Sequence, residues 1–236
     1  QGKRKAKKRK ERSDAAGKRA RKVNNLAKHH RGACALGKSG VEKAQTYGAS
    51  AVGADERDIK KQKQNMAIAS GRGLRKGASA TLAIQWTWGT EGQPEIRAHM
   101  EHIEAWLRYY DKYKEGKKDL IEEAWKKVKG RVEGAKRKGK KETTEMRSAL
   151  SACLISLRLI GIDPKTPHEW TDADAIGGRY NFPVQHDNFE RRGMLWRFAQ
   201  RFETVMWKCI TKGEATGGTE KGTPCIEVAK KCHKWM

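Results

Sequence analysis

Apolar positions recur at helical spacing through the second half of the chain. From Pro94, residues Ile96, Met100, Ile103, Leu107 and Tyr110 follow one another at 4-3-4-3 spacing, and Trp106 widens the stripe. That period marks one face of an amphipathic helix, and proline suits a first helical turn. A second helix is predicted after Gly116, with Ile121, Trp125, Val128 and Val132 on one side and Lys and Glu on the other. A third carries Met146, Leu150, Cys153, Leu154 and Leu157 and stops at Gly161, before Asp163-Pro164. Residues 164–187 change character. Two short extended pieces around the DAD and GG turn signals predict a small hairpin with Trp170 and Tyr180 packing inward. A fourth helix spans 188–211, with Leu195, Phe198, Phe202, Val205 and Cys209 in register. A flexible link over 213–222 precedes a final helix bearing Cys225, Val228, Cys232 and Trp235.

The expected fold is thus mostly α: a domain over 81–236 of five amphipathic helices and one short β-hairpin. Upstream the pattern weakens. Residues 81–88 (TLAIQWTW) combine β-branched and aromatic types and predict a short strand or extended anchor. Residues 55–69 suit a helix, 71–77 (GRGLRKG) a flexible break, and 39–80 as a whole a flexible basic linker.

Charge sharpens this division. Over 236 residues, 52 Lys and Arg oppose 28 Asp and Glu, a net +24. Residues 1–80 hold 23 of the basic and only 6 of the acidic side chains, and Tyr47 is the sole aromatic residue among them. A segment so charged and so poor in core-forming residues is expected to stay disordered, so residues 1–38 are assigned as a basic tail. Within it KRKAKKRK (3–10) and KRARK (18–22) would attract a polyanion by releasing condensed counterions. The candidate nucleic-acid contacts are Lys3, Arg4, Lys5, Lys7, Lys8, Arg9, Lys10, Arg12, Lys18, Arg19, Arg21, Lys22 and Arg31. Secondary candidates are Arg72, Arg75 and Lys76, together with the basic loop Lys136, Arg137, Lys138, Lys140 and Lys141. Two spaced basic clusters also suit nuclear import, which favours the nucleus over the cytoplasm.

Other chemistries find less support. The longest apolar run, 149–162, is too short to span a bilayer, and no secretory signal pattern opens the chain. Five cysteines (34, 153, 209, 225 and 232) follow no framework spacing, which favours a reducing compartment. Residues 32–39 (GACALGKS) fit the phosphate-loop pattern in full, but NNLAKHHR before them is no buried strand. Cys209, Cys225, Cys232 and His233 lack the short chelate spacings of zinc sites, and the three cysteines fit apolar stripes instead. His99 and His102 are expected at a helix surface or rim, and Glu101, Glu104, Glu122 and Glu123 in surface pairs with lysine. Asp172 and Asp174 fit a turn, while Trp86 and Trp88, close to GRGLRKG, suit base stacking. No Ser/His/Asp set appears, and neither a metal nor a cofactor is expected.

The order of segments in 80–110, 119–128, 148–175 and 189–207 resembles the region downstream of the polymerase core in reverse-transcriptase proteins of protist non-LTR retroelements. The shared marks are Trp106-Leu107, Trp125, Ile160-Gly161, and Trp170 with Asp172. The chain departs from that family in lacking a polymerase motif and in carrying Ile162 where the family has tryptophan. The resemblance implies contact with template or element RNA rather than catalysis. The expectation is therefore a noncatalytic nucleic-acid-binding protein, neither enzyme nor membrane protein, whose tail supplies affinity and whose helical body positions it. A structural component of a ribosome or other ribonucleoprotein, docked on neighbouring proteins, and a phosphate-loop nucleotide-binding protein are the alternatives.

Overall fold

The computed structural model describes the backbone of residues 2–71, 79–172, 180–181 and 188–211. Arg72, Arg75, Lys76, the expected 213–222 link and the expected final helix lie outside the described residues, as do the side chains of Lys3, Arg4, Lys5 and Lys7. The described elements are predominantly helical, with one small antiparallel sheet.

The expected disordered tail is instead a helix, α1 (Gly2–Ala27). Its charges hide a narrow stripe of small apolar residues. Ala16, Ala20 and Val23 fall at i, i+4 and i+7, and all three are buried. They join Val41, Met66, Ala67, Ala69, Ile84 and Trp88 in one apolar cluster. The segment expected as a flexible linker is also largely helical. A 3-10 turn (Arg31–Cys34) and a π-helical turn (Gly37–Glu42) lead into α2 (Lys43–Thr46), followed by α3 (Ala49–Val52) and α4 (Glu56–Ala69).

Residues 81–88 form helix α5 (Ala80–Trp88), not a strand. The Ser79 hydroxyl accepts from the Leu82 N–H at its start, and Gly89 (φ +68°) ends it. Thr81, Ile84, Gln85 and Trp88 are its buried residues, an i, i+3, i+4, i+7 set that outweighs β-propensity.

The chain divides into two compact units that cut across the expected divisions after residues 38 and 80. One comprises Gln1–Tyr47, Glu56–Arg97 and Met206–Met236; the other Gly48–Asp55 and Ala98–Val205. In the first, α1 lies close on α4. A Cβ on Gly17 would stand 3.2 Å from Asn65 Oδ1. The Asn65 amide donates to the Ser13 carbonyl (3.2 Å) and to Gln45 Oε1 (3.1 Å), and Arg9 pairs with Asp58 at 2.5 Å. The Asn65 amide is thereby hydrogen-bonded rather than stranded, whereas Asn24 Oδ1 and Gln62 Oε1 on the same two helices are buried without a partner among the described residues.

Helical structure runs through Pro94–Arg137 (α6), with Lys117 (φ −142°, ψ 26°) as a non-helical residue inside it. Two helices were expected here, parted at Gly116, and the break falls one residue later. A straight helix would hold Trp106 and Trp125 about 28 Å apart. Their ring centroids are 5.4 Å apart, so the two arms fold back on each other as a helical hairpin within the second unit. Both tryptophans are buried.

Helix α7 (Ala149–Leu159) opens with a capping box, Ser148 accepting from the Ser151 N–H and Ser151 from the Ser148 N–H. Gly161 (φ +77°) follows its end, as anticipated. Strands β1 (Ile162–Pro164), β2 (Trp170–Asp172) and β3 (Tyr180–Asn181) pair antiparallel in that order, so the expected hairpin gains a third strand. Pro164 stands opposite Trp170, which is fully buried, and Asp172 opposite Tyr180. Helix α8 spans Asn188–Thr211. Its buried residues Met194, Phe198, Phe202, Met206 and Trp207 shift the expected face away from Leu195 and Val205, which are half-buried.

Gly37 shows how tightly the first unit is closed. A Cβ there would lie 2.6 Å from Trp88 Cζ2 and 3.3 Å from the Ala69 Cβ. Gly37→Ala is expected to lower stability by about 1–3 kcal/mol through overpacking, read from the urea midpoint. An unchanged midpoint would mean that the ring yields freely.

Candidate nucleic-acid interface

The buried stripe of α1 fixes what the rest of the helix presents. At 100° per residue, Lys10, Lys18, Arg21 and Lys22 project from the side away from Ala16 and Ala20; these four, and Lys28 in the turn after the helix, are exposed. None of them, nor Lys8 or Arg31, makes an ion pair among the described residues. Lys18 and Lys22 stand one turn apart. From Lys8 to its end at Ala27 the helix extends about 28 Å, comparable with about eight base steps of duplex.

Three candidate arginines have internal duties instead. Arg9 bonds Asp58, Arg12 donates to the Tyr47 carbonyl (3.0 Å), and Arg19 reaches the Gly40 carbonyl at 3.5 Å. Lys28 lies in the turn that follows α1, outside both basic clusters.

The 136–141 loop belongs to the second unit. Arg137, Lys138, Lys140 and Lys141 are exposed there, Lys136 is 3.7 Å from Glu142, and Gly139 turns the chain at φ +66°.

Several other candidates acquire structural roles. The phosphate-loop match runs through the 3-10 and π-helical turns that follow α1, with no strand before it. Gly37 is closed over by Trp88, Lys38 pairs with Glu91 at 3.1 Å, and the Ser39 hydroxyl donates to the Ala35 carbonyl. Trp88 is core, which removes it as a stacking platform. Asp172 is buried against the Arg201 guanidinium, whereas Asp174 lies outside the described residues. Glu123 pairs with Lys127 at 2.6 Å, as the i,i+4 spacing predicts. Among the described residues no three His, Cys, Asp or Glu side chains are grouped to hold a metal. The Cys209 side chain, Cys225, Cys232 and His233 lie outside them.

His99 and His102 are not at the rim; both are buried. The Ala54 N–H donates to His102 Nε2 (3.1 Å), so in the neutral ring the proton sits on Nδ1. That Nδ1–H donates to Ser156 Oγ (3.1 Å), and the hydroxyl then donates to His99 Nδ1 (2.9 Å). Phe202 stacks on the His99 ring at 5.1 Å. Burial pulls the pKa of His99 down to about 4. Burial, and then the neighbouring His99, pull His102 down to about 3. The cluster is a neutral hydrogen-bonded chain linking α6, α7 and the turn at Ala54.

Comparison with protein-family models, with curated proteins and with solved structures returns no match.

Because both folded imidazoles titrate below the ordinary 6.5, the unfolded chain takes up protons first as pH falls. Their contribution to stability is complete above pH 6.5 and is lost toward pH 4 and 3. The urea midpoint is therefore expected to drop between pH 6.5 and 5, above the carboxylate range. A flat profile there would show that the histidines are not held neutral. Ser156→Ala strands two buried ring nitrogens and is expected to cost about 1–3 kcal/mol at neutral pH. A change of a few tenths would mean that the hydroxyl bridges nothing.

Proposed function

We propose that this chain is a noncatalytic nucleic-acid-binding protein that grips the phosphate backbone along the outer face of α1. The observation that carries the reading is the row of exposed cations Lys10, Lys18, Arg21 and Lys22, with Lys28 in the turn that follows, without ion-pair partners among the described residues, on a helix whose opposite face is buried. Exposed Glu11 and Asp14 share this face, but the cations outnumber them, and so strong an excess of one sign along a helix is the footprint of a polyanion partner. Binding by such a face follows counterion release, so it is steeply salt-dependent and carries little sequence information. A docked helix also holds its charges in place before binding, which lowers the ordering cost that a disordered arm would incur. Exposed Arg137, Lys138 and Lys140 offer a secondary phosphate contact. The retroelement resemblance of residues 80–235 directs the proposal toward RNA, and the basic clusters toward the nucleus.

The test keeps the chain whole, because deleting residues 1–38 would strip Ala16, Ala20 and Val23 from the core. Binding to RNA is titrated with salt for the wild type and for a variant carrying Lys10→Gln, Lys18→Gln, Arg21→Gln and Lys22→Gln. The variant is expected to bind more weakly, with the log–log salt slope shallower by about 0.7–0.9 per lost phosphate contact. Equal affinity and equal slope would place the interface elsewhere.

A further inference from the structure

Tyr47 is the one aromatic residue in the basic first third of the chain, and it is 72% exposed, the most open large hydrophobic side chain among the described residues. Its position is nonetheless fixed. It ends α2 with φ −54° and ψ 118°, and Gly48 (φ +79°) then redirects the chain. Arg12 holds it twice: one guanidinium nitrogen donates to the Tyr47 carbonyl at 3.0 Å, and the guanidinium carbon lies 4.7 Å from the ring centroid. Arg12 is itself exposed, and so is Lys43, one helical turn before the tyrosine. An aromatic ring ordered by a cation, bordered by further cations and left open to solvent satisfies no need of the fold. It has the composition of a base-stacking platform, in which a planar base meets the ring while neighbouring charges meet its phosphates.

We infer that Tyr47, clamped by Arg12, stacks an unpaired base, which makes single-stranded nucleic acid the preferred ligand of the first unit. The inference rests on the reading of α1 as a phosphate-binding face. A duplex keeps its bases stacked inside the helix, so it can meet the cations of α1 but not the ring.

The test compares wild type, Tyr47→Ala and Tyr47→Trp in the full chain, using an unstructured single-stranded RNA and a duplex of equal phosphate count. Tyr47→Ala is expected to lose roughly five- to a hundredfold in affinity for the single strand. No charge is removed, so its salt slope should not change, and duplex binding should stay as in wild type. Tyr47→Trp should retain wild-type affinity, since it enlarges the stacking surface. A Tyr47→Ala protein that binds the single strand like wild type overturns the inference, as does an equal loss on both ligands. If the four-charge variant of α1 weakens both ligands while Tyr47→Ala weakens neither, the inference fails and the phosphate-binding reading stands. If wild type binds neither ligand, both fail together.

Discussion

A helix dense in lysine and arginine can join a hydrophobic core only if its buried face is narrow and its repulsion is relieved locally. Helix α1 meets that constraint with side chains of minimal size. Ala16, Ala20 and Val23 allow it to approach α4 closely, and Gly17 brings its backbone almost onto Asn65. At its far end the Gly71 turn abuts Ala27, where a Cβ would come within 2.5 Å. Among the described side chains of α1, Arg9 finds a carboxylate across this seam, at Asp58. The seam is therefore held mainly by contact area and by the Asn65 and Gln45 amides. The outward charges remain unspent, and the functional reading depends on that separation of duties.

The second unit solves a different problem with the same economy of parts. The Lys117 break turns α6 back so that Trp106 packs on Trp125, and the indole N–H of Trp106 reaches the Pro167 carbonyl at 3.2 Å. One cluster of buried polar groups lies where the short turn at Ala54 meets α6 and α7. Two imidazoles and a hydroxyl satisfy one another there and the Ala54 N–H. A buried polar chain of this kind is tolerable only when every member is partnered.

What sequence could reveal depended on whether the signal was local. The bounds of α8, the stop at Gly161 and the division near Gly116 all follow from apolar spacing and from backbone chemistry written in adjacent residues. So does the pairing of two short extended pieces around residues 170–181. The misreadings share a cause. In α1 the helical period is carried by alanine, whose small contribution to any hydrophobic pattern is swamped by the surrounding charge. In α5 the β-branched and aromatic types favoured a strand, although positions 81, 84, 85 and 88 already carried the helical spacing. The histidine pair was placed at a rim because nothing in its own helix announces Ser156 or Ala54, which arrive from distant parts of the chain. The candidate interface was legible as a list of charges. Which of them are committed inward, as Arg9 is against Asp58, was not.

The path of the backbone has one further consequence. The chain leaves the first unit after Tyr47, returns at Glu56, leaves again after Arg97 and returns at Met206. The excursion 48–55 is no spacer: Gly53 sits against Met146 and Ala152, and Ala54 caps the histidine cluster. Neither unit is encoded by a continuous stretch, so neither can be completed as the chain emerges until residues far downstream exist. Pairings of such long sequence separation incur a loop-closure cost before they gain contacts. In evolutionary terms the two units are bound to one reading frame. A recombination point that respects one of them must cut the other, so neither could be exchanged as a single contiguous module.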